Sequence, residues 1–379
     1  MERVGYRPRL VFWELTTGCN LRCIHCRASA TELCSPDDLG YEACAEIIEE
    51  LADFAPFILV FSGGEPLFRR DVLRLARLAT DRGIRVALAT NGTLLTQELA
   101  QQIRDAGVQR VAISLDGPDA ATHDSFRGMP GAFDKALQGF EHLKQVGMSL
   151  QINSTVARHN AAKLPDTLDL ALQLGADAFH LFLLVPVGCG IQIADKQMVE
   201  AQEYERILNW LYDRMLENRI DLKATCAPHF FRVVRQRRAE ARRRGEPVTE
   251  HPAPGHGNNG SHAMNAPMHA MTRGCLAGTG VCFISHKGQV YPCGYLPLEA
   301  GDLRRQNFTD VWQQSPLFTS LRDVGNLKGK CGACEFRSVC EGCRARAFGC
   351  SGDYLAEEPF CSYTPRGYAA VGTEIATRL

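Results

Sequence analysis

Six short apolar segments alternate with amphipathic ones from the N-terminus to Asn218, and that alternation admits few folds. Val11–Leu15, Phe57–Phe61, Arg85–Thr90, Arg110–Leu115, Ser149–Val156 and Ala178–Val185 are rich in Val, Ile, Leu and Phe and are bounded by Gly, Pro, Asn or Asp. Segments of that kind read as strands buried on both faces of a parallel sheet. Between them Glu42–Phe54, Asp71–Arg82, Gln97–Ala106, Gly131–Val146 and Leu164–Leu174 carry helical patterns, and Val199–Asn218 follows the last strand. Successive β-then-α units call for right-handed crossovers in an α/β fold. An open doubly wound sheet and a curved partial barrel both fit; either one gathers its chemistry at the C-terminal ends of the strands.

The alternation then stops. Residues 232–244 hold seven arginines against one glutamate, as a basic helix, and 245–270 are rich in Gly, Pro, Asn and His without periodicity. That stretch reads as a long flexible loop, and the irregular spacing of His251, His256, His262 and His269 argues against a metal site there. From Gly274 onward Cys and Gly are dense and the one strong helical pattern is Phe308–Arg322, so a second, metal-organised domain is expected up to about Pro365. The resulting division is 8–225, 226–272 and 273–366.

Charge narrows the function. With 42 basic against 43 acidic side chains, the net charge of −1 excludes a nucleic-acid binder working through a generally basic surface. No run of eighteen apolar residues occurs, and Met1 to Leu10 is polar and leads straight into a strand. A soluble cytoplasmic protein is expected, without a membrane partner. In that compartment thiols stay reduced, so sixteen cysteines in 379 residues point to metal rather than to disulfides.

The first strand runs into Thr17-Gly18-Cys19-Asn20-Leu21-Arg22-Cys23-Ile24-His25-Cys26. Three thiolates hold three irons of a 4Fe–4S cluster and leave the fourth open to a small molecule. A zinc knuckle completed by His25 is the competing reading, though a histidine between two ligands would strain the loop. With its strand context, Cys19-x-x-x-Cys23-x-x-Cys26 resembles the radical SAM enzymes. The resemblance spans all six βα units and implies a partial (β/α)6 barrel. It also implies S-adenosylmethionine on the open iron, cleaved by one electron to a 5′-deoxyadenosyl radical. Ser62-Gly63-Gly64-Glu65-Pro66 resembles the family segment that receives the methionine amino group, where glycines let backbone carbonyls approach an ammonium and Glu65 or Gly63 accepts its protons. Ser114, ending the fourth strand, resembles the ribose contact; Arg127 resembles the arginine that pairs with the methionine carboxylate. Thr90-Asn91-Gly92 reads as a turn.

The cysteines at 275, 282, 293, 331, 334, 340, 343 and 361 match two four-ligand clusters, although Cys331-x-x-Cys334 and Cys340-x-x-Cys343 also have zinc-ribbon spacing. The array resembles the SPASM domain, which carries auxiliary 4Fe–4S clusters. That resemblance assigns Cys275, Cys282, Cys293 and Cys343 to an inner cluster and Cys331, Cys334, Cys340 and Cys361 to an outer one. The last pair is separated by two residues where the family usually has three, which leaves one or two auxiliary clusters open. Cys34, Cys44, Cys189 and Cys350 lack spacing partners and read mostly as small hydrophobes; Cys226, beside Pro228 and His229, is less easily classed.

Val11–Thr16, His25–Ala28, Leu222–His229, Met271–Leu276, Phe283–His286 and Gly342–Ala347 resemble the tetrapyrrole-modifying branch, and within it haem synthases of the AhbD type. The resemblance implies oxidative decarboxylation of two propionates of Fe-coproporphyrin III to vinyl groups, giving haem b, with flavodoxin or ferredoxin as a small electron donor. Didecarboxysiroheme deacetylation, d-type haem maturation and SPASM peptide maturation are the alternatives. A peptide maturase typically adds a recognition element before the barrel, and only about ten residues precede the first strand here. Four substrate carboxylates call for arginines, with Arg232, Arg235, Arg237 and Arg238 as candidates. His229, His286 and His180 are candidate axial ligands to the substrate iron.

Overall fold

In the computed structural model, which describes residues 6–247 and 274–368, the six apolar segments form β1 (Leu10–Glu14), β2 (Ile58–Ser62), β3 (Arg85–Thr90), β4 (Arg110–Ser114), β5 (Ser149–Val156) and β6 (Ala178–Leu183). They pair in sequence order and in parallel, Leu10 opposite Ile58 and Gln151 opposite Ala178. Each return runs through helix: α1 (Tyr41–Ala52), α2 (Val72–Asp81), α3 (Gln97–Asp105), α4 (Ala120–Arg127) with α5 (Ala132–Gln145), and α6 (Leu164–Leu174). The result is the partial barrel, with Phe57, Phe61, Phe140 and Phe179 fully buried between sheet and helices.

After β6 come α7 (Gly190–Gln197) and α8 (Ala201–Leu216), then a seventh parallel strand that the apolar pattern does not announce, β7 (Asp221–Thr225). All five of its residues are only half-buried, as befits an edge, so its composition is mixed. The arginine run lies on α9 (Phe230–Arg243). The histidine-rich stretch that follows, with His251, His256, His262 and His269 and the Met271–Arg273 end of one resemblance segment, falls outside the described residues.

The C-terminal part is built onto the opposite edge of the same sheet. β8 (Val281–Ile284) pairs in parallel with β1, and β9 (Gln289–Tyr291) and β10 (Gly301–Asp302) extend it antiparallel. The helix expected over Phe308–Arg322 is two, α10 (Phe308–Gln314) and α11 (Pro316–Arg322), because Pro316 leaves Ser315 in a non-helical conformation. Two short helices, α12 (Gly329–Ala333) and α13 (Arg344–Ser351), carry cysteine segments. Among the described residues no helix is long and apolar enough to cross a membrane.

Candidate functional site

The loop leaving β1 is closed at its base by a small bridge, Cys19 N–H donating to Thr31 O (2.8 Å) and Thr31 N–H to Thr17 O (3.1 Å). Cys19, Cys23 and Cys26 are all within electrostatic reach of one another. Every one of their sulfurs receives an N–H. Leu21 N (3.4 Å) and Asn91 Nδ2 (3.9 Å) donate to Cys19, Arg127 Nη1 (3.8 Å) to Cys23, and Ala30 N (3.5 Å) to Cys26. Burial pushes the Cys19 thiol up to about 11 and raises Cys23 as well. Thiols that are desolvated yet surrounded by donors are set to become thiolates once a cationic metal group binds. The three residues fit a cluster.

The Gly-Gly-Glu-Pro segment after β2 packs directly on that loop: Gly64 N–H donates to Thr16 O (2.8 Å) and Glu65 N–H to Gly18 O (2.7 Å). A Cβ at Gly63 would stand 2.7 Å from Thr16 O, and one at Gly64 2.5 Å from the carbonyl oxygens of Thr17 and Gly18, so only glycine permits this approach. Glu65 is fully buried and already engaged. Its Oε1 accepts from Leu67 N (3.1 Å) and Thr90 Oγ1 (2.8 Å), and its Oε2 from Asn91 N (2.8 Å). Burial lifts its carboxyl to about 7. Glu65 thus ties the end of β2 to the end of β3. Thr90-Asn91-Gly92 is more than a turn: Asn91 donates to Asn20 Oδ1 (2.9 Å) as well as to Cys19. Its place after β3, level with the glycines after β2, was the available signal.

Ser114 lies half-buried at the end of β4, two residues before Asp116, which is fully buried. Asp116 Oδ1 accepts from Thr155 N (2.7 Å), and Oδ2 lies 2.6 Å from Arg127 Nη2. Burial alone would raise this carboxyl, but Arg127 and His25 hold it below its ordinary value. Arg127, on the last turn of α4, therefore already has a carboxylate partner; its buried Nε has none. That orphaned donor, beside Cys23, fits an additional anionic group. His25 stacks on Phe126, with centroids 3.9 Å apart and planes at 11°, and burial drives it down to about 4. Its ring packs on Phe126, with Nε2 3.6 Å from Asp116 Oδ2 and Nδ1 buried without a hydrogen-bond partner.

In the C-terminal part, Cys331, Cys334, Cys340 and Cys361, the set implied by the SPASM resemblance, line one small cavity. The other expected quartet is not assembled. Cys282 sits on β8 opposite Val11, fully buried in the main apolar core, and its thiol interacts with no other cysteine there. Strand geometry turns it into the core. Cys275, Cys293 and Cys343 do come together, and the fourth thiol beside them is that of Cys226. Between the quartets lies a buried ion pair, Arg346 Nε to Glu358 Oε1 at 2.8 Å.

The substrate candidates scatter. Arg232 is buried and held by both Glu205 oxygens (2.9 and 2.5 Å), and Arg237 is paired with Asp213 (2.6 Å). Arg232 still keeps a buried Nε without a hydrogen-bond partner; Arg238 is half-buried and Arg235 exposed. His229 is fully buried against the outer cysteine cavity, with neither ring nitrogen bonded, and burial lowers it to about 4. His180 Nδ1 lies 2.9 Å from Gln151 Nε2. His286 Nδ1 lies 2.9 Å from Glu14 Oε1, while Arg27 donates to Glu14 Oε2 (2.6 Å). Arg27 was not foreseen. It follows Cys26 in sequence, and its Nη1 reaches Gly294 O (3.3 Å), next to Cys293, with its guanidinium over Phe283. One side chain thereby spans from the N-terminal cysteine loop to the C-terminal cysteines.

Comparison with known proteins agrees with this layout. The radical SAM superfamily model matches residues 13–171, and that of SPASM, an iron–sulfur cluster-binding domain, matches 275–344. The chain is 49% identical to the AdoMet-dependent haem synthase of Methanosarcina barkeri, over 94% of this chain and 97% of that one. It is 47% identical to the AdoMet-dependent haem synthase of Nitratidesulfovibrio vulgaris, over 94% and 93%. Streptococcus suis SuiB bound to its precursor peptide SuiA shares the fold, with a TM-score of 0.70 at 16% identity, over 94% of this chain and 76% of that one. The chain belongs to the radical SAM superfamily, within the SPASM-bearing family of AdoMet-dependent haem synthases, and is an iron–sulfur enzyme that binds a 4Fe–4S cluster and S-adenosylmethionine.

Proposed function

We propose that this enzyme makes haem b by oxidative decarboxylation of two propionate side chains of Fe-coproporphyrin III to vinyl groups. The observation that carries the reading is identity of 47–49% along 94% of the chain to proteins named AdoMet-dependent haem synthase. When bound, the cluster and S-adenosylmethionine supply a 5′-deoxyadenosyl radical able to take a hydrogen atom from an unactivated carbon. Each propionate would lose a hydrogen atom from its β-carbon to the deoxyadenosyl radical, one carbon dioxide, and one electron to an auxiliary iron–sulfur cluster of the SPASM domain, which balances its conversion to a vinyl group.

The chain's own residues would divide the work. Cys19, Cys23 and Cys26 hold the cluster, with Asn91 and Arg127 donating to their sulfurs. The Gly63 carbonyl, Ser114 and the spare Nε of Arg127 hold S-adenosylmethionine. Glu65 keeps the loops after β1, β2 and β3 in register, so that the cofactor's amino group meets fixed carbonyls. Arg27 binds the two cysteine regions into one wall, which suits a reaction that delivers an electron after each hydrogen abstraction. Arg235, exposed where Arg232, Arg237 and Arg238 are wholly or partly buried, is the one of the four candidate arginines whose side chain is open to a substrate carboxylate.

The test is a single-vessel assay with anaerobically reconstituted protein, a strong reductant, S-adenosylmethionine and Fe-coproporphyrin III, followed by mass spectrometry. Stepwise loss of two carboxyl groups, matched by 5′-deoxyadenosine, is the expected result. Deoxyadenosine with an unchanged porphyrin would remove the substrate assignment and direct the same assay to didecarboxysiroheme.

A further inference from the structure

We propose that Cys226, at the end of the seventh barrel strand, completes the inner auxiliary iron–sulfur site with Cys275, Cys293 and Cys343, and that Cys282 is a core residue with no ligand role. The inference rests on the iron–sulfur character of the SPASM domain and is independent of which tetrapyrrole is the substrate.

Four observations converge. All six pairings among Cys226, Cys275, Cys293 and Cys343 are in electrostatic contact, whereas Cys282 contacts none of them. Cys226 has a left-handed backbone, φ +57°, a conformation an L-residue with a Cβ adopts at a cost and keeps only where its surroundings impose it. Arg346 Nη2 donates to the Cys226 carbonyl (2.6 Å). The same guanidinium holds Glu358, whose Oε2 accepts from Cys343 N (2.8 Å), so one buried ion pair aims two of the four cysteines. Finally, Cys226, Cys275 and Cys293 pack with buried Cys343 in one small cluster, separate from the main core that holds Cys282.

The ligand would come from the barrel and its three partners from the C-terminal domain. The site is therefore a cross-link between the end of β7 and the SPASM fold, and its place in sequence hides it from any motif confined to residues 275–361.

The experiment compares anaerobically reconstituted full-length Cys226→Gly, Cys226→Ser and Cys282→Ala by iron and sulfide analysis and Mössbauer spectroscopy. Glycine accepts φ +57° without strain, so Cys226→Gly removes the thiol while sparing the backbone. The expectation is loss of about four irons per chain, or a changed spectrum at one iron site, in both Cys226 variants, with Cys282→Ala matching the parent. Gel filtration of the loaded proteins establishes that each variant is folded. An unchanged spectrum in Cys226→Gly overturns the proposal. So does loss of the inner signal in folded Cys282→Ala, because the proposal requires that thiol to be dispensable.

Discussion

Two buried arginine–carboxylate pairs stand beside cysteines in this protein, and they are spent differently. Arg346 donates to Glu358, to Leu184 O (3.2 Å) and to Cys226 O (2.6 Å), so each of its nitrogens has a partner. Arg127 meets Asp116 and the Cys23 sulfur, and its buried Nε is left over. A saturated guanidinium fixes structure, whereas a desolvated N–H without a partner is costly and leaves Arg127 a donor for a ligand; Arg232, paired with Glu205 beside the outer cysteines, keeps a buried Nε of the same kind. The number of cysteines follows the same division, three beside Arg127 and four on either side of Arg346.

The comparison breaks most sharply at the cysteines themselves. Cys23→Ala should abolish 5′-deoxyadenosine formation and remove about four irons while leaving the auxiliary iron in place. Cys334→Ala should do the reverse, lowering iron content by a similar amount but retaining deoxyadenosine production, as chromatography of the quenched reaction would show. If both variants lose deoxyadenosine equally, the two ends are not functionally distinct.

Next in size is the saturated pair. Arg346→Met strands the fully buried Glu358 carboxylate and should cost about 3–5 kcal/mol, read as a lower denaturant midpoint. Pairing it with Glu358→Leu should recover much of that loss, since the charges then leave together. Arg127→Lys tests the unsaturated pair. A lysine ammonium can still neutralise Asp116 but lacks the spare planar donor, so S-adenosylmethionine binding should weaken about 10–100-fold. Iron content should stay near that of the parent. A variant that binds S-adenosylmethionine normally would deny the orphaned Nε its role.

The contrast also explains what could be read from the sequence. β3 was legible to the residue through its Val86–Ala89 apolar run, and β5 through Leu150, Ile152 and Val156 spaced at strand period. β7 reads Asp-Leu-Lys-Ala-Thr because an edge strand tolerates polar residues. Cys19, Cys23 and Cys26 were legible because their ligand set is local, held in one loop. The inner auxiliary site is not local. Cys282 lies seven residues from Cys275 and suits a linear motif, yet it belongs to a strand whose pairing with β1 points it into the core. Cys226 lies 49 residues upstream of Cys275, and only the return of α13 over the ends of β6 and β7, marked by the bonds from Arg346 to Leu184 O and Cys226 O, brings it into the group. Glu65 and Arg232 show the same limit for charged residues: a sequence displays a carboxylate or a guanidinium but not the partners that have already engaged it.

The smallest effect concerns how Arg127 is delivered to its place. It rides on the last turn of α4, whose first turn is capped by Asp119 accepting from Thr122 N (2.8 Å), with Lys163 Nζ at 2.8 Å. Asp119→Ala should therefore cost about 1 kcal/mol through the cap, the exposed ion pair adding little. The hydrogen bond from Lys163, then those from Thr122, lower this carboxyl to about 2 from an ordinary 3.8. A depressed acid contributes stability that is fully present above its unfolded value and fades as pH falls through its folded one. The penalty of Asp119→Ala should thus be constant above about pH 4 and shrink between about pH 4 and 2, as parallel urea titrations of parent and variant would show. A penalty unchanged down to pH 2 would mean that the uncharged side chain caps α4 as well as the carboxylate does, and that Arg127 owes its position to Asp116 alone.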